Sequence, residues 1–307
     1  ALVDTDLTRD LVQARIQGRQ SDTAGAVFKG LLVACLVVVL AALVALLISV
    51  APAGLEVFSV RGVSDFVLRP FSVRPEKAGV FQGIVGTVTC ALLVAVVAFP
   101  MGVAAAVYLE EYAHDNWFTR IVNLVIRNLA GVPAIVYGLL GFALFVDGPF
   151  TGFTGGTTLL STGLTLSILV LPIVVITSAE AIRAVPSALR EGGYGVGATR
   201  WEVTRTLVLP NAMGGMLTGT ILGLARALGE AAPLFFMGAK TSIFSGGEWG
   251  DLRGDFTALP MIISDWATRP ATKWNGNTQA AILVTLVLVL GINTVGIVLR
   301  NHFDKKR

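Results

Sequence analysis

Two charged residues stand where charge is expensive. Arg226 and Glu230 lie in the stretch PNAMGGMLTGTILGLARALGEAAPLFFMG, which holds no other charge. A guanidinium offers a planar fork to oxyanion or carboxylate oxygens, and a carboxylate four residues further on shares its helix face. Inside a bilayer such groups face a bundle interior or an aqueous path. Two readings follow. In one, Arg226 receives an entering oxyanion and Glu230 balances and orients it when the site is empty. In the other, the two form a permanent salt bridge that locks this helix to a neighbouring subunit. A glutamate beside an anion path also repels the anion, so Arg226 is not the sole attraction in the first reading. Lys240, just past this stretch, either draws an anion at the mouth or snorkels to water. Gly131, Pro133 and Gly138 suit a bent helix with carbonyls exposed near a pathway, and suit close helix packing equally well.

Other chemistry is missing from the sequence. There is no G-x-x-x-x-G-K-[ST], G-x-S-x-G or H-E-x-x-H motif. His114 and His302 are too few to suggest a metal or catalytic centre, and Glu110, Glu111 and His114 read as a solvated turn. Cys35 and Cys90 lie in apolar runs and read as small hydrophobes. No run of five or more Lys and Arg points to nucleic acid. The chain is expected to carry no cofactor or metal of its own and to be no enzyme.

The elements that position these residues follow from composition. Of the 307 residues 54% are hydrophobic and only 14% charged, with a mean hydropathy of +0.75. A soluble domain carries roughly 25% charge, so the expected solvent is lipid. About 20 apolar residues cross a hydrocarbon core. Uncharged stretches of that length predict an all-α membrane protein with six transmembrane helices. They span Gly30 to Ala51, a run within Ala78 to Leu109 that Pro100 can kink, about Asn128 to Val146, about Thr157 to Ala179, Pro210 to about Gly238, and about Thr278 to Leu299. Residues 1–29 are expected to form a polar tail without a cleavable signal, residues 30–300 a single transmembrane domain, and residues 301–307 a second tail. Fourteen of the 23 Lys and Arg fall on the side of both tails and of the 109–127 and 179–209 connections. That bias places both termini in the cytoplasm. The outer loop of about 239–277 holds Trp249, Trp266, Trp274 and FTALPMII, and predicts a short interfacial or re-entrant segment.

The connection between the fourth and fifth spans, about 180–210, carries the strongest pattern. Pro186 follows a helix end and Ser187 suits an N-cap. Gly192, Gly193, Gly195 and Gly197 are expected to break the chain. ATRWEVTRTLVLP then predicts a short amphipathic helix, stopped by Pro210, that presents Arg200, Trp201, Glu202 and Arg205 to a groove on another protein. Glu191, Gly197, Leu207 and Leu209-Pro210 reproduce the spacing of the EAA loop, the signature of permease subunits of bacterial ABC importers. The two alanines that follow the glutamate in that loop are Gly192 and Gly193 here, and the usual isoleucine is Leu207. The resemblance implies a MetI-like permease fold, with a coupling helix formed by Gly197, Ala198, Thr199, Arg200, Trp201 and Arg205 that sits in the cleft of an ATPase subunit.

YLEEYA at Tyr108 to Ala113, GVPAIVYGLLG at Gly131 to Gly141, ARALGEAAPL at Ala225 to Leu234, and FTALPMII at Phe256 to Ile263 resemble the phosphate-transport permeases of the PstA type, over about Phe81 to Ile297. Ala134 stands where that family commonly has serine. The resemblance implies import of inorganic phosphate across the bacterial inner membrane by alternating access. It further implies a PstC-like partner permease, two PstB-like ATPase subunits that hold ATP and Mg, and a PstS-like periplasmic or lipid-anchored binding protein. Another oxyanion, such as molybdate, sulfate or phosphonate, fits the same architecture. A secondary transporter fits less well, because Glu230 is a lone intramembrane carboxylate.

Overall fold

The computed structural model describes residues 23–239 and 249–304, and among these every regular element is helical. Helix α1 (Thr23–Arg61) runs well beyond the expected Gly30 to Ala51 and continues through Pro52. The chain divides into two compact units, residues 1–49 and 50–307. In the first, α1 exposes apolar side chains all round, Leu31, Leu36, Val38 and Val44 among them, as a lipid-facing helix does.

The second unit begins with the end of α1 and continues through α2 (Val63–Leu68) and a short 3-10 turn (Pro75–Lys77). It is dominated by α3 (Phe81–Val107), α7 (Leu159–Arg183), α10 (Leu209–Gly229) and α13 (Ala271–Asp304). Between them lie α4 (Trp117–Leu129), α5 (Ala134–Gly141), α6 (Thr151–Thr154), α8 (Ser187–Gly195), α9 (Arg200–Val203), α11 (Ala232–Phe236) and α12 (Leu259–Thr268). Among the described residues five helices are long and apolar enough to cross a bilayer: Thr23–Arg61, Phe81–Tyr112, Leu159–Arg183, Arg200–Gly229 and Lys273–Asn301.

The expected third span is not one helix. It starts earlier, at Trp117, and is two helices meeting at 105°, Trp117–Leu129 and Ala134–Val146. Counting this broken pair gives the sixth span. Pro133 has no amide hydrogen and disfavours a helical conformation at Val132. The chain tightens ahead of it, with Gly131 N–H on the Asn128 carbonyl and Val132 N–H on the Leu129 carbonyl. The Tyr137 hydroxyl donates to the same Leu129 carbonyl at 2.8 Å, a second bond that ties α5 back across the break.

The fifth span also ends short of expectation, at Gly229 rather than Gly238. Pro233 is four residues on, where its ring would clash with the Gly229 carbonyl of a continuing helix. Glu230 is therefore extended, with φ −84° and ψ 110°, and α11 starts a new direction.

Glycine sets how closely the spans approach. Along α10, Gly215, Gly219 and Gly223 recur every four residues and face Ala181, Thr177 and Val170 of α7. A side chain at Gly219 would overlap Thr177. Small residues at this spacing let two backbones meet in lipid, where association depends on packing rather than on water. Thr177 in turn donates its hydroxyl back to the Ile173 carbonyl, so its own polar atom is satisfied at the contact.

Three clusters fill the bundle. The central one gathers Cys90, Val94, Tyr137, Leu166, Val170 and Ala227. At one end Ala106, Val175, Ile182, Val203, Val208 and Met216 pack together. At the other, Phe66, Phe71, Trp266 and Trp274 stack under α12 and α13, with the Arg269 guanidinium 4.6 Å over Trp274. Trp266 and Trp274 are thus core residues and not boundary anchors, while Trp249 is exposed. Cys90 is buried as expected, whereas Cys35 is exposed.

Gly219→Ala is expected to cost about 1–3 kcal/mol through overpacking. Gly291→Ala, where the added methyl meets nothing within 4 Å, is expected to cost nothing. Thermal unfolding of the two variants in detergent measures the difference.

Candidate functional site

The connection between α7 and α10 is built around arginine. The chain leaves α7 at Arg183, turns at Pro186 and enters α8. Pro186, not Ser187, occupies the N-cap position. The glycines do not break this helix, which runs through Gly192 and Gly193 to Gly195. Gly193 is buried where a side chain would press on Val203 and Leu207. Its lack of a side chain lets α8 and α9 touch. The turn comes at Gly197, whose φ of +87° favours glycine.

Thr199 then caps α9 in a reciprocal box. Its hydroxyl accepts from the Glu202 amide, and the Glu202 carboxylate accepts from the Thr199 amide at 2.7 Å. Glu202 is therefore turned back onto the chain while staying exposed. Pro210 does not stop the helix. A π-helical turn, Thr204–Val208, widens the chain ahead of it, and α9 and α10 run on as one span from Arg200 to Gly229. The wide turn accommodates the missing Pro210 amide hydrogen, and the Asn211 side chain donates to the Leu207 carbonyl at 2.6 Å.

Of the expected docking residues, Glu191, Gly197, Thr199, Arg200, Trp201 and Arg205 are exposed, and Ala198 is half-buried. Trp201 is 56% and Val196 86% exposed. Such apolar surface beside charged side chains is what a protein partner covers.

The structure corrects the reading of Glu110 and Glu111 as a solvated turn. Both lie on a π-helical turn, Tyr108–Tyr112, that ends α3. Glu111 is buried and accepts from Nε and Nη2 of Arg190 at 3.1 and 2.8 Å. Arg190 also donates to the Val185 and Ile182 carbonyls at 2.7 and 2.9 Å. Glu110 takes a two-pronged bond from Arg183 at 2.8 and 2.6 Å, and the Arg200 guanidinium lies 5.4 Å from the Tyr112 ring centre. Beyond this turn, a hydrogen bond from Arg120 holds the Asp115 carboxyl below its usual range.

The second set of residues gathers at the two helix breaks. Gly138 of α5 packs on Pro233 and Phe236 of α11, which sets the two breaks side by side. Arg226 lies within electrostatic reach of Tyr137 and pairs with Glu230, Nε to Oε1, at 3.4 Å. Glu230 reaches back from beyond the helix end instead of lying on the same helical face. The side chains of this pair are 42% and 25% exposed, and Gly131 and Pro133 are exposed as well. Lys240 lies outside the described residues.

Five spanning helices, a broken sixth, a charged pair at adjoining helix breaks and an exposed loop at one end define a multi-span membrane transport subunit. The chain belongs to the family of binding-protein-dependent transport system inner membrane components, whose profile matches residues 98–307. It is 34% identical over 285 residues to the "Probable ABC transporter permease protein YqgH" of Bacillus subtilis, covering 91% of this chain and 90% of that one. It is 35% identical over 231 residues to the phosphate transport system permease protein PstA of Mycobacterium leprae, covering 74% and 73%. In fold it resembles a chain of the bacterial alginate ABC transporter solved with an alginate pentasaccharide-bound periplasmic protein. That match has a TM-score of 0.61 at 18% identity and covers 87% and 93%. A chain of the inward-facing MetNI methionine transporter matches with a TM-score of 0.52 at 19% identity, covering 73% and 94%. The chain is thus an inner-membrane ABC importer permease, a subunit that works with another permease, ATPases and a binding protein.

Thr199→Ala removes the cap of α9 and is expected to destabilise it by about 1 kcal/mol. Amide exchange across Arg200–Val203 should accelerate while that of α7 stays unchanged.

Proposed function

We propose that this permease imports inorganic phosphate by alternating access, driven by ATP hydrolysed with Mg on two PstB-like ATPase subunits. A PstC-like permease completes the pathway, and a PstS-like binding protein delivers phosphate from outside. The observation that carries this reading is the Arg226–Glu230 pair, set open at two adjoining helix breaks. An arginine fork matches a phosphate oxyanion, and a 3.4 Å bond to Glu230 is one that an entering anion displaces. The named PstA relative favours phosphate among oxyanions. The break between α4 and α5 leaves Gly131 and Pro133 exposed to meet solute.

The coupling loop is the site of ATPase contact in this reading. Trp201, flanked by Arg200 and Arg205, enters the ATPase cleft, while Glu191, Gly197, Ala198 and Thr199 fix the angle at which it is presented. Lys240 attracts phosphate at the outer mouth. Both termini lie in the cytoplasm, on the side of the coupling loop. The chain itself supplies no nucleotide site and no cofactor; ATP and Mg reside on the ATPases.

The test is uptake in vesicles reconstituted with the partner permease, ATPases and binding protein. ATP-dependent phosphate uptake is expected, with Arg226→Ala lowering it by about 10- to 100-fold in a complex that still assembles. Uptake of a different oxyanion and not of phosphate overturns the substrate assignment. Collapse of the Arg226→Ala complex favours the permanent salt bridge. Trp201→Ala is expected to weaken ATPase binding, measured by co-purification, by about tenfold or more.

A further inference from the structure

We infer that the end of α3 is a second receiver of the coupling movement, gripped by three arginines of the coupling connection and held chiefly by Glu111–Arg190. This inference rests on the ATPase-coupling reading above. In that reading the loop drives α10 directly, because α9 and α10 are one continuous helix. The structure also holds a separate route. Three consecutive residues, Glu110, Glu111 and Tyr112, meet Arg183, Arg190 and Arg200 in that order. Consecutive residues of the wide turn point in successive directions around its axis, so three such contacts come from a connection that wraps around the helix end.

Arg190 is the member that joins the parts. It stands on α8, and its three nitrogens bind Glu111 of α3 together with the carbonyls of Ile182 and Val185, where α7 gives out. Glu111 is 5% exposed, so its partner is fixed: a carboxylate at that depth needs a guanidinium beside it. A displacement of α8 therefore carries the last turn of α3 with it or breaks a buried ion pair. Glu110 and Arg183 clamp the same turn to α7 from the exposed side. The wide turn Tyr108–Tyr112 is where α3 can yield to that pull without losing the regular bonds above it. Glu111 and Arg190 are positioning residues: they touch no solute and no nucleotide.

The discriminating quantity is phosphate taken up per ATP hydrolysed, measured on the full reconstituted complex for wild type, Glu111→Gln, Arg190→Lys and the double variant. A purely structural role lowers uptake and hydrolysis together, in proportion to complex recovered. A coupling role lowers their ratio. The single variants are expected to keep binding-protein-stimulated hydrolysis within about twofold while the ratio falls about fivefold, and the double variant is expected to be no worse than the poorer single, because both act through one contact. An unchanged ratio in either assembled single variant, or effects that multiply in the double, overturns the inference. Where Glu111→Gln prevents assembly, Glu110→Gln on the exposed side supplies the test: a lowered ratio supports the grip and an unchanged one overturns it. A wild-type complex that hydrolyses ATP on addition of binding protein yet moves no phosphate sinks the substrate reading alone. Coupling is then read from binding-protein stimulation of hydrolysis, with its loss in the variants supporting the inference and its retention overturning it.

Discussion

The contact between α7 and α10 is the constraint from which the rest of the molecule follows. Three glycines at four-residue intervals bring the α10 backbone against Val170, Thr177 and Ala181. Lipid gives no hydrophobic reward for pairing apolar helices, so closeness of approach must supply the attraction. With the two spans fixed side by side, the sixteen residues between Arg183 and Arg200 have little distance to cover. They fold back as α8 and the turn at Gly197 that leads into α9, and Gly193 extends the close packing into that fold. At the far end the same pairing brings the C-terminal break of α10 to the level where α5 packs, so the charged pair and the exposed loop between α7 and α10 are opposite ends of one contact.

Two arginines illustrate how burial divides similar chemistry. Arg190 is fixed by a buried carboxylate and two carbonyls, all within hydrogen-bond range. Arg226 has one long bond to a half-exposed carboxylate. Breaking the first leaves an uncompensated charge inside the protein, whereas breaking the second exposes a fork to whatever lies in the opening. A part that must transmit displacement calls for the first arrangement. A part that must exchange ligands calls for the second.

Much of this was legible in sequence, for reasons that particular residues make clear. Hydropathy located α3, α7 and α13 because lipid exposure is a property of long runs. It overran the end of α10 because LFFMG stays apolar after the helix has ended, and only the Pro233-to-Gly229 clash marks the end. The EAA spacing marked the stretch that the structure exposes between α7 and α10, but Pro210 suggested a stop there because a wide turn ahead of a proline leaves no simple pattern. Trp266 and Trp274 looked like boundary residues because tryptophan favours that boundary, yet Trp266 packs on Phe66 and Phe71, and Trp274 on Trp266, which places both in a core. Glu110 and Glu111 were hardest. Their partners are 73 and 79 residues away, and nothing local distinguishes a carboxylate that finds an arginine from one that finds water.

The wide turns carry a consequence for how such a chain can change over generations. Each holds one residue more than the α-helical path would need, at Tyr108–Tyr112 and again at Thr204–Val208. A wide turn takes up that extra residue by widening, so the helix before it leaves on nearly the bearing that regular winding would give. Deleting one residue from the second turn would therefore restore regular winding with Trp201 facing nearly the same way, whereas deleting one residue within α10 itself would swing everything before it by about 100°. The wide turn is thus the place along this span where the count of residues can change by one with least effect on the direction of the exposed loop.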